Sequence, residues 1–203
     1  FSAGVTMKVG DGTSGSFGNI TFEEGAAVKL DSDVDEDGDL YLNAGNDLSV
    51  GGNLSITAGA GNITQGAAVT VAGTSSFKTS TSDADIVLSS ENAFAQKVTL
   101  TTFGEEGDAT IDNGTTALII AASDVRGDLT LESGHASGIT DADGETVTVG
   151  GNLAATTTAN NGDIDMGTLA VTGTIALTTY ADASNNTSHA TIVNTRAVKL
   201  AAS

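Results

Sequence analysis

The sequence predicts an all-β, single-domain parallel β-solenoid with three strands per coil, a coil length of about 25 residues and about eight coils. Three observations carry this expectation. A short segment centred on one aliphatic residue recurs along the whole chain. Two-residue alternation of apolar and polar positions follows each recurrence, as a strand with one buried face requires. Gly, Asn, Asp, Ser and Thr fill the intervals, with no proline and no helical stripe.

The recurring segment reads Asn19-Ile20-Thr21, Asp39-Leu40-Tyr41, Asn62-Ile63-Thr64, Asp85-Ile86-Val87, Thr110-Ile111-Asp112, Gly138-Ile139-Thr140, Asp163-Ile164-Asp165 and Thr191-Ile192-Val193. From Ile20 to Ile192 are 172 residues in seven steps, about 25 each. These segments are expected to form the first strand of each coil. The second strand is expected at Val28/Leu30, Leu48/Val50, Val69/Val71, Leu118/Ile120, Val147/Val149, Leu169/Val171 and Val198/Leu200. The third is expected at Leu54/Ile56, Val98/Leu100, Leu129/Leu131, Leu153/Ala155 and Ile175/Leu177. Residues 1–18 read as an N-terminal strand and turn, and residues 19–203 as the repeat coils. At about 4.8 Å per strand, eight coils make a rod roughly 40 Å long.

Composition excludes several chemistries. The chain of 203 residues has no cysteine, so it has neither a disulfide frame nor a thiol nucleophile nor a Cys-ligated metal. A formal charge of −19, from 26 acids against 7 bases, repels phosphate backbones and argues against nucleic-acid binding. The longest apolar run, Ala117 to Ala122, is far short of the roughly 20 residues that span a bilayer. Aromatics make up only 4% of the chain, so the core must be aliphatic. The chain opens on Phe1 without an initiator Met, which fits a processed, exported protein and equally a piece cut from a longer repeat protein.

Gly51-Gly52-Asn53-Leu54-Ser55-Ile56-Thr57-Ala58-Gly59-Ala60-Gly61-Asn62-Ile63-Thr64 and Val147-Thr148-Val149-Gly150-Gly151-Asn152-Leu153 resemble the repeats of filamentous haemagglutinin-type adhesins. They are similar also to the wider class of β-strand-repeat bacterial surface proteins. The resemblance covers the chain from about Ile20 onward and lies in pattern and composition. It implies a right-handed parallel β-helix at a cell surface or outside the cell, working in adhesion or as a structural fibre.

The chain ends look complementary. Val5-Thr6-Met7-Lys8-Val9 precedes the first landmark as an orphan third strand, while the last coil stops after Val198/Leu200 without one. The turn Leu200-Ala201-Ala202-Ser203 matches the internal Ile120-Ala121-Ala122-Ser123. A head-to-tail homopolymer is therefore expected, with Val5, Met7 and Val9 meeting Val198 and Leu200. The competing reading is an adhesin passenger whose lateral face grips host or cell-surface glycans.

Calcium is the one cofactor the sequence suggests. Asp33-x-Asp35-x-Asp37-Gly38-Asp39 matches the opening of a calcium loop, in which alternating carboxylates converge on a hard cation. Position twelve of such a loop is Ala44 rather than Glu, which favours a solvated acidic loop as the reading of the same residues. Asp141-Ala142-Asp143-Gly144-Glu145 is a second, weaker candidate. Gly10-Asp11-Gly12-Thr13-Ser14-Gly15 has the spacing of a phosphate loop but no following helix, so it reads as a turn. His135 and His189 read as turn residues, and Arg126 and Arg196 fall in different coils. No nucleophile elbow is present, and a polysaccharide-active enzyme is the remote alternative. Outward Thr57, Thr101, Thr156 and Thr178 suggest an ice-like array that Lys78 and Glu132 interrupt. Asn19, Asn53, Asn62, Asn113, Asn185 and Asn186 each begin an Asn-x-Ser/Thr triplet.

Overall fold

The computed structural model describes residues 20–22, 28–32, 40–42, 48–59, 61–180 and 188–201. Among them all regular structure is β-strand. The strands fall into successive triplets, one per coil. β1 (Ile20–Phe22), β2 (Val28–Ser32) and β3 (Leu40–Tyr41) make the first, and β4 (Leu48–Val50), β5 (Leu54–Ala58) and β6 (Ile63–Thr64) the second. Then come β7 (Val69–Val71), β8 (Ser75–Ser82) and β9 (Ile86–Leu88), followed by β10 (Ala93–Phe94), β11 (Val98–Phe103) and β12 (Ala109–Asp112). The fifth and sixth coils hold β13 (Leu118–Ile120), β14 (Ser123–Val125) and β15 (Leu129–Ser133), then β16 (Ile139–Asp141), β17 (Val147–Val149) and β18 (Leu153–Thr157). β19 (Ile164–Val171) covers two faces of the seventh coil and β20 (Ile175–Thr178) the third, and β21 (Ala190–Asn194) starts an eighth.

Every pairing is parallel and joins strands one coil apart. The third face is the most regular, running β3-β6-β9-β12-β15-β18-β20. Its column Leu40, Ile63, Ile86, Ala109, Leu129, Leu153, Ile175 advances by 23, 23, 23, 20, 24 and 22 residues, so the ladder makes six turns. Parallel strands ordinarily need long crossovers; here the other two faces supply the return path, and corners of a few residues suffice. The first face holds β1, β4, β7 and β10. From the fifth coil onward it fuses with the second, because β11 pairs with both β13 and β14. Ala121 and Ala122 alone separate those two strands, too few residues to turn a sharp corner.

The core is a stack of aliphatic layers. Ile63, Ile86, Leu129, Leu153 and Ile175 stand above one another with at most 1% of their surface exposed. Each such side chain contributes about 1.5–3 kcal/mol through burial. Phe77 and Phe94 interrupt the aliphatic stack as an edge-to-face pair, with ring centroids 5.5 Å apart.

Four expectations are corrected by this register. The recurring landmarks do not share one face: Leu40, Ile63, Ile86 and Ile111 lie on the third, but Ile20, Ile139, Ile164 and Ile192 lie on the first. The slip occurs at β14, whose Ser123-Asp124-Val125 offers one apolar side chain and reads as turn. The final coil does not lack its third strand position, because Leu200 bridges Ile175 on the third face. The Ala-Ala-Ser segments are not equivalent, since Ile120 leaves the first face and Leu200 the third. The outward threonines also separate, with Thr57, Lys78 and Thr101 on the second face and Glu132, Thr156 and Thr178 on the third.

Among the described residues one buried side-chain group is unsatisfied. Ser75 occupies the inward column between Leu54 and Val98, and its Oγ has no hydrogen-bond partner. Ser75→Ala removes the stranded hydroxyl while keeping the Cβ. It is expected to stabilise the protein by about 1–2 kcal/mol, read as a rise of several degrees in the thermal midpoint.

Candidate functional site

At the corner between the second and third faces, side-chain oxygens take over the ladder. Asp85 N–H donates to Asn62 Oδ1 at 2.7 Å, Asp108 N–H to Asp85 Oδ1 at 2.8 Å and Asp128 N–H to Asp108 Oδ1 at 2.7 Å. Asn152 N–H then donates to Asp128 Oδ1 at 2.6 Å, and Thr174 N–H to Asn152 Oδ1 at 2.8 Å. The chain bends away from sheet geometry here, so its N–H groups need acceptors that an adjacent strand does not provide. Asp83 does the same one step earlier: the Glu105 and Glu106 N–H groups donate to its Oδ1 at 2.9 and 3.0 Å and hold its carboxyl below the usual carboxylate range.

The corner between the third and first faces is satisfied from inside. Asn113 Oδ1 accepts Phe94 N–H at 2.8 Å, and its Nδ2 donates to the carbonyls of Phe94, Thr116 and Ala117. Asn92 Oδ1 accepts Val69 N–H at 2.9 Å, while its Nδ2 reaches Leu88 O and Asp112 O. Both amides are buried. Asn113 was legible only as the start of an Asn-Gly-Thr triplet; with its amide fully engaged, it offers no nitrogen for a glycan.

The second acidic candidate is a staple. Glu145 Oε1 accepts Lys97 Nζ at 2.6 Å and its Oε2 accepts Ala122 N–H at 2.9 Å, tying three coils together. The Lys97 bond, then the Ala122 bond, hold the Glu145 carboxyl below the usual carboxylate range. Asp141 accepts Gly167 N–H at 3.0 Å and Thr168 N–H at 2.6 Å, and also the Thr168 hydroxyl. These carboxylates already have protein donors. The first acidic candidate, Asp33, Asp35, Asp37 and Asp39, lies outside the described residues, as do Val5, Met7, Val9 and the Gly10–Gly15 turn. No group of three His, Cys, Asp or Glu among the described residues is placed to hold a metal ion.

His135 sits in a turn, where its Nδ1 accepts Ser137 N–H at 2.9 Å. Arg126 pairs with Asp124 of the same strand end at 2.9 Å. A half-open groove of about 300 Å³ runs between Glu91, Asp112, Glu132, Thr116 and Thr158, its walls carboxylate and hydroxyl. Among the described residues no helix is long and apolar enough to cross a membrane.

The most distinctive surface is the end of the last coil. Ile175 N–H donates to Lys199 O at 2.7 Å and Ala201 N–H to Ile175 O at 2.9 Å, so Leu200 continues the inward column of the third face. Its predecessor Ile175 is 1% exposed, yet Leu200 is 70% exposed and Val198 51%. β21 pairs only with β19, leaving its outer edge open among the described residues. The sequence pointed to Val198 and Leu200 through alternation alone, and the structure places both on this uncovered tip.

A family model of repeats of unknown function, DUF5649, matches residues 18–101 and 106–166. The chain belongs to this repeat family. The DUF5649 matches begin just before a first-face strand, β1, and just before a third-face strand, β12. No curated protein and no solved structure matches the chain.

Proposed function

We propose that this DUF5649 chain is a non-catalytic structural unit that stacks head to tail on further copies into an extracellular or cell-surface filament. The exposure of Leu200 carries the reading. A position that is dry in the preceding coil is open to water in the last described one, beside a strand edge unpaired among the described residues. Such an edge templates the addition of another strand. The opposite tip of the described rod is bounded by β1, β2 and β3, each terminal in its row of strands. Stacking therefore sets this tip against β21 and the Leu200 segment and covers Leu200 together with the half-buried Ile192. The pattern shared with haemagglutinin-type repeats supports a place at the cell surface.

Negative-stain microscopy of the purified chain over a range of concentrations tests this. Unbranched fibres of constant width are expected. Leu200→Asp, at an already exposed position, is expected to abolish them while shifting the thermal midpoint by no more than a few degrees. Monodisperse rods of about 40 Å at high concentration would overturn the filament and favour a surface-binding module instead.

A further inference from the structure

The acids and bases of this chain are segregated along the rod. Between Ile20 and Leu40, the span of β1 to β3, the sequence has eight acids and one base. From Ser188 to Ala201, the last described coil, it has two bases, Arg196 and Lys199, and no acid. A molecule with a net charge of −19 thus carries a cationic tip. That tip is also the open one: Arg196 and Lys199 are exposed beside Val198 and Leu200, and neither forms an ion pair among the described residues. Lys199 Nζ makes one hydrogen bond, to Thr172 O at 3.3 Å.

Position in the corner column sharpens the contrast. The residue immediately before each third-face strand is Asn62, Asp85, Asp108, Asp128, Asn152 and Thr174 in successive coils, each passing a hydrogen bond to the next. In the last coil that place belongs to Lys199, which has no side-chain acceptor to offer. At the other end the residue preceding Leu40 is Asp39. A second copy stacked in register brings an anionic coil over the cationic one along this column.

We infer that the tip formed by residues 188–201 is an electrostatically selective docking surface whose occupant is the acidic first coil of a second copy of this chain. This rests on the head-to-tail reading and adds what sets its polarity. The flanks of two rods repel, and so do two acidic ends. Of the end-on encounters only tip to tail is attractive, so charge selects orientation while the strand edges and Leu200 supply the adhesion that a tip-to-flank encounter lacks.

A charge exchange tests it. Variant one carries Arg196→Glu and Lys199→Glu; variant two carries Asp33→Lys, Asp35→Lys, Glu36→Lys, Asp37→Lys and Asp39→Lys, which leaves three acids against six bases between Ile20 and Leu40. Each alone presents like charges at every junction and is expected to need about tenfold more protein than wild type for fibre onset. Mixed in equal amounts they restore opposite charges at both kinds of junction, and fibres are expected to return as alternating copolymers near the wild-type onset. Recovery in the mixture also demonstrates that both variants are folded. Wild-type onset for either variant alone, or no recovery on mixing, would overturn the charge inference and leave the filament standing. Absence of fibres from the wild-type chain would overturn the filament itself.

Discussion

Replacing Gly138 with alanine is expected to destabilise the protein by about 4 kcal/mol and to uncouple the coils on either side of it. Gly138 turns the corner from the third face to the first with φ of +64°, where an L side chain is strained by about 1 kcal/mol. Space is the larger problem. An added Cβ would overlap the carbonyl oxygen of Asp163 and lie 2.7 Å from its main-chain nitrogen and carbonyl carbon. These are backbone atoms of the next coil, which cannot swing aside as a side chain would. Moving them breaks the bond from Ile139 N–H to Asp163 O, 2.9 Å, and strains that from Leu118 N–H to Gly138 O, 3.0 Å. A repeat rod is stabilised mainly by contacts between neighbouring coils, so the damage should stay local. Hydrogen exchange should show lost protection between Leu118 and Val171 with earlier coils preserved. Uniform loss, or none, would contradict this.

Asn113→Ala is expected to cost about 3 kcal/mol in urea unfolding. The substitution strips partners from Phe94 N–H and from the carbonyls of Phe94, Thr116 and Ala117, where main-chain pairing has lapsed. Each buried polar group left without a partner costs about 1–3 kcal/mol, and part of that is recovered where water reaches the corner. Asn113→Asp should cost more. It keeps an acceptor for Phe94 N–H but loses every amide donor and places a carboxylate against three carbonyl oxygens. Asn53→Ala serves as the contrast. Asn53 also accepts a main-chain N–H, from Thr74 at 2.9 Å, but it is exposed, and water can replace it. Its loss is expected to cost under about 1 kcal/mol.

The strands that alternate large aliphatics with polar residues were legible in the sequence, because inward Ile, Leu and Val mark their own period. β14 and β10 were not. Ser-Asp-Val and Ala-Phe each present a single large apolar side chain, too few to show alternation, and pairing with neighbouring coils makes them strands. Face assignment failed for a different reason. Gly51-Gly52-Asn53-Leu54 enters the second face, whereas Gly150-Gly151-Asn152-Leu153 enters the third. Both corners make one demand, an amide oxygen to accept the N–H one coil above, from Thr74 and from Thr174, so one motif serves either place. Asn92 and Asn113 carry no local signal of burial. Asn113 takes up Phe94 N–H where β13 departs from β10 to pair with β11, and Asn92 takes up Val69 N–H beside the paired β7 and β10. At the tip, Val198 and Leu200 could be read from alternation, but the change from dry to wet between Ile175 and Leu200 required the coordinates.

The uniform parallel ladder also governs how the rod bears load. Its hydrogen bonds point along the axis, from coil to coil, so a pull on the two chain ends meets them one coil at a time. A coil of 23 residues, such as Leu40 to Ile63, rises about 4.8 Å when wound. Drawn straight, it spans about 80 Å. Each coil that gives way therefore pays out some fifteen times its wound height and relieves the tension before the next is strained. The polypeptide behaves as a spooled tether, yielding in steps and rewinding on the coil beneath.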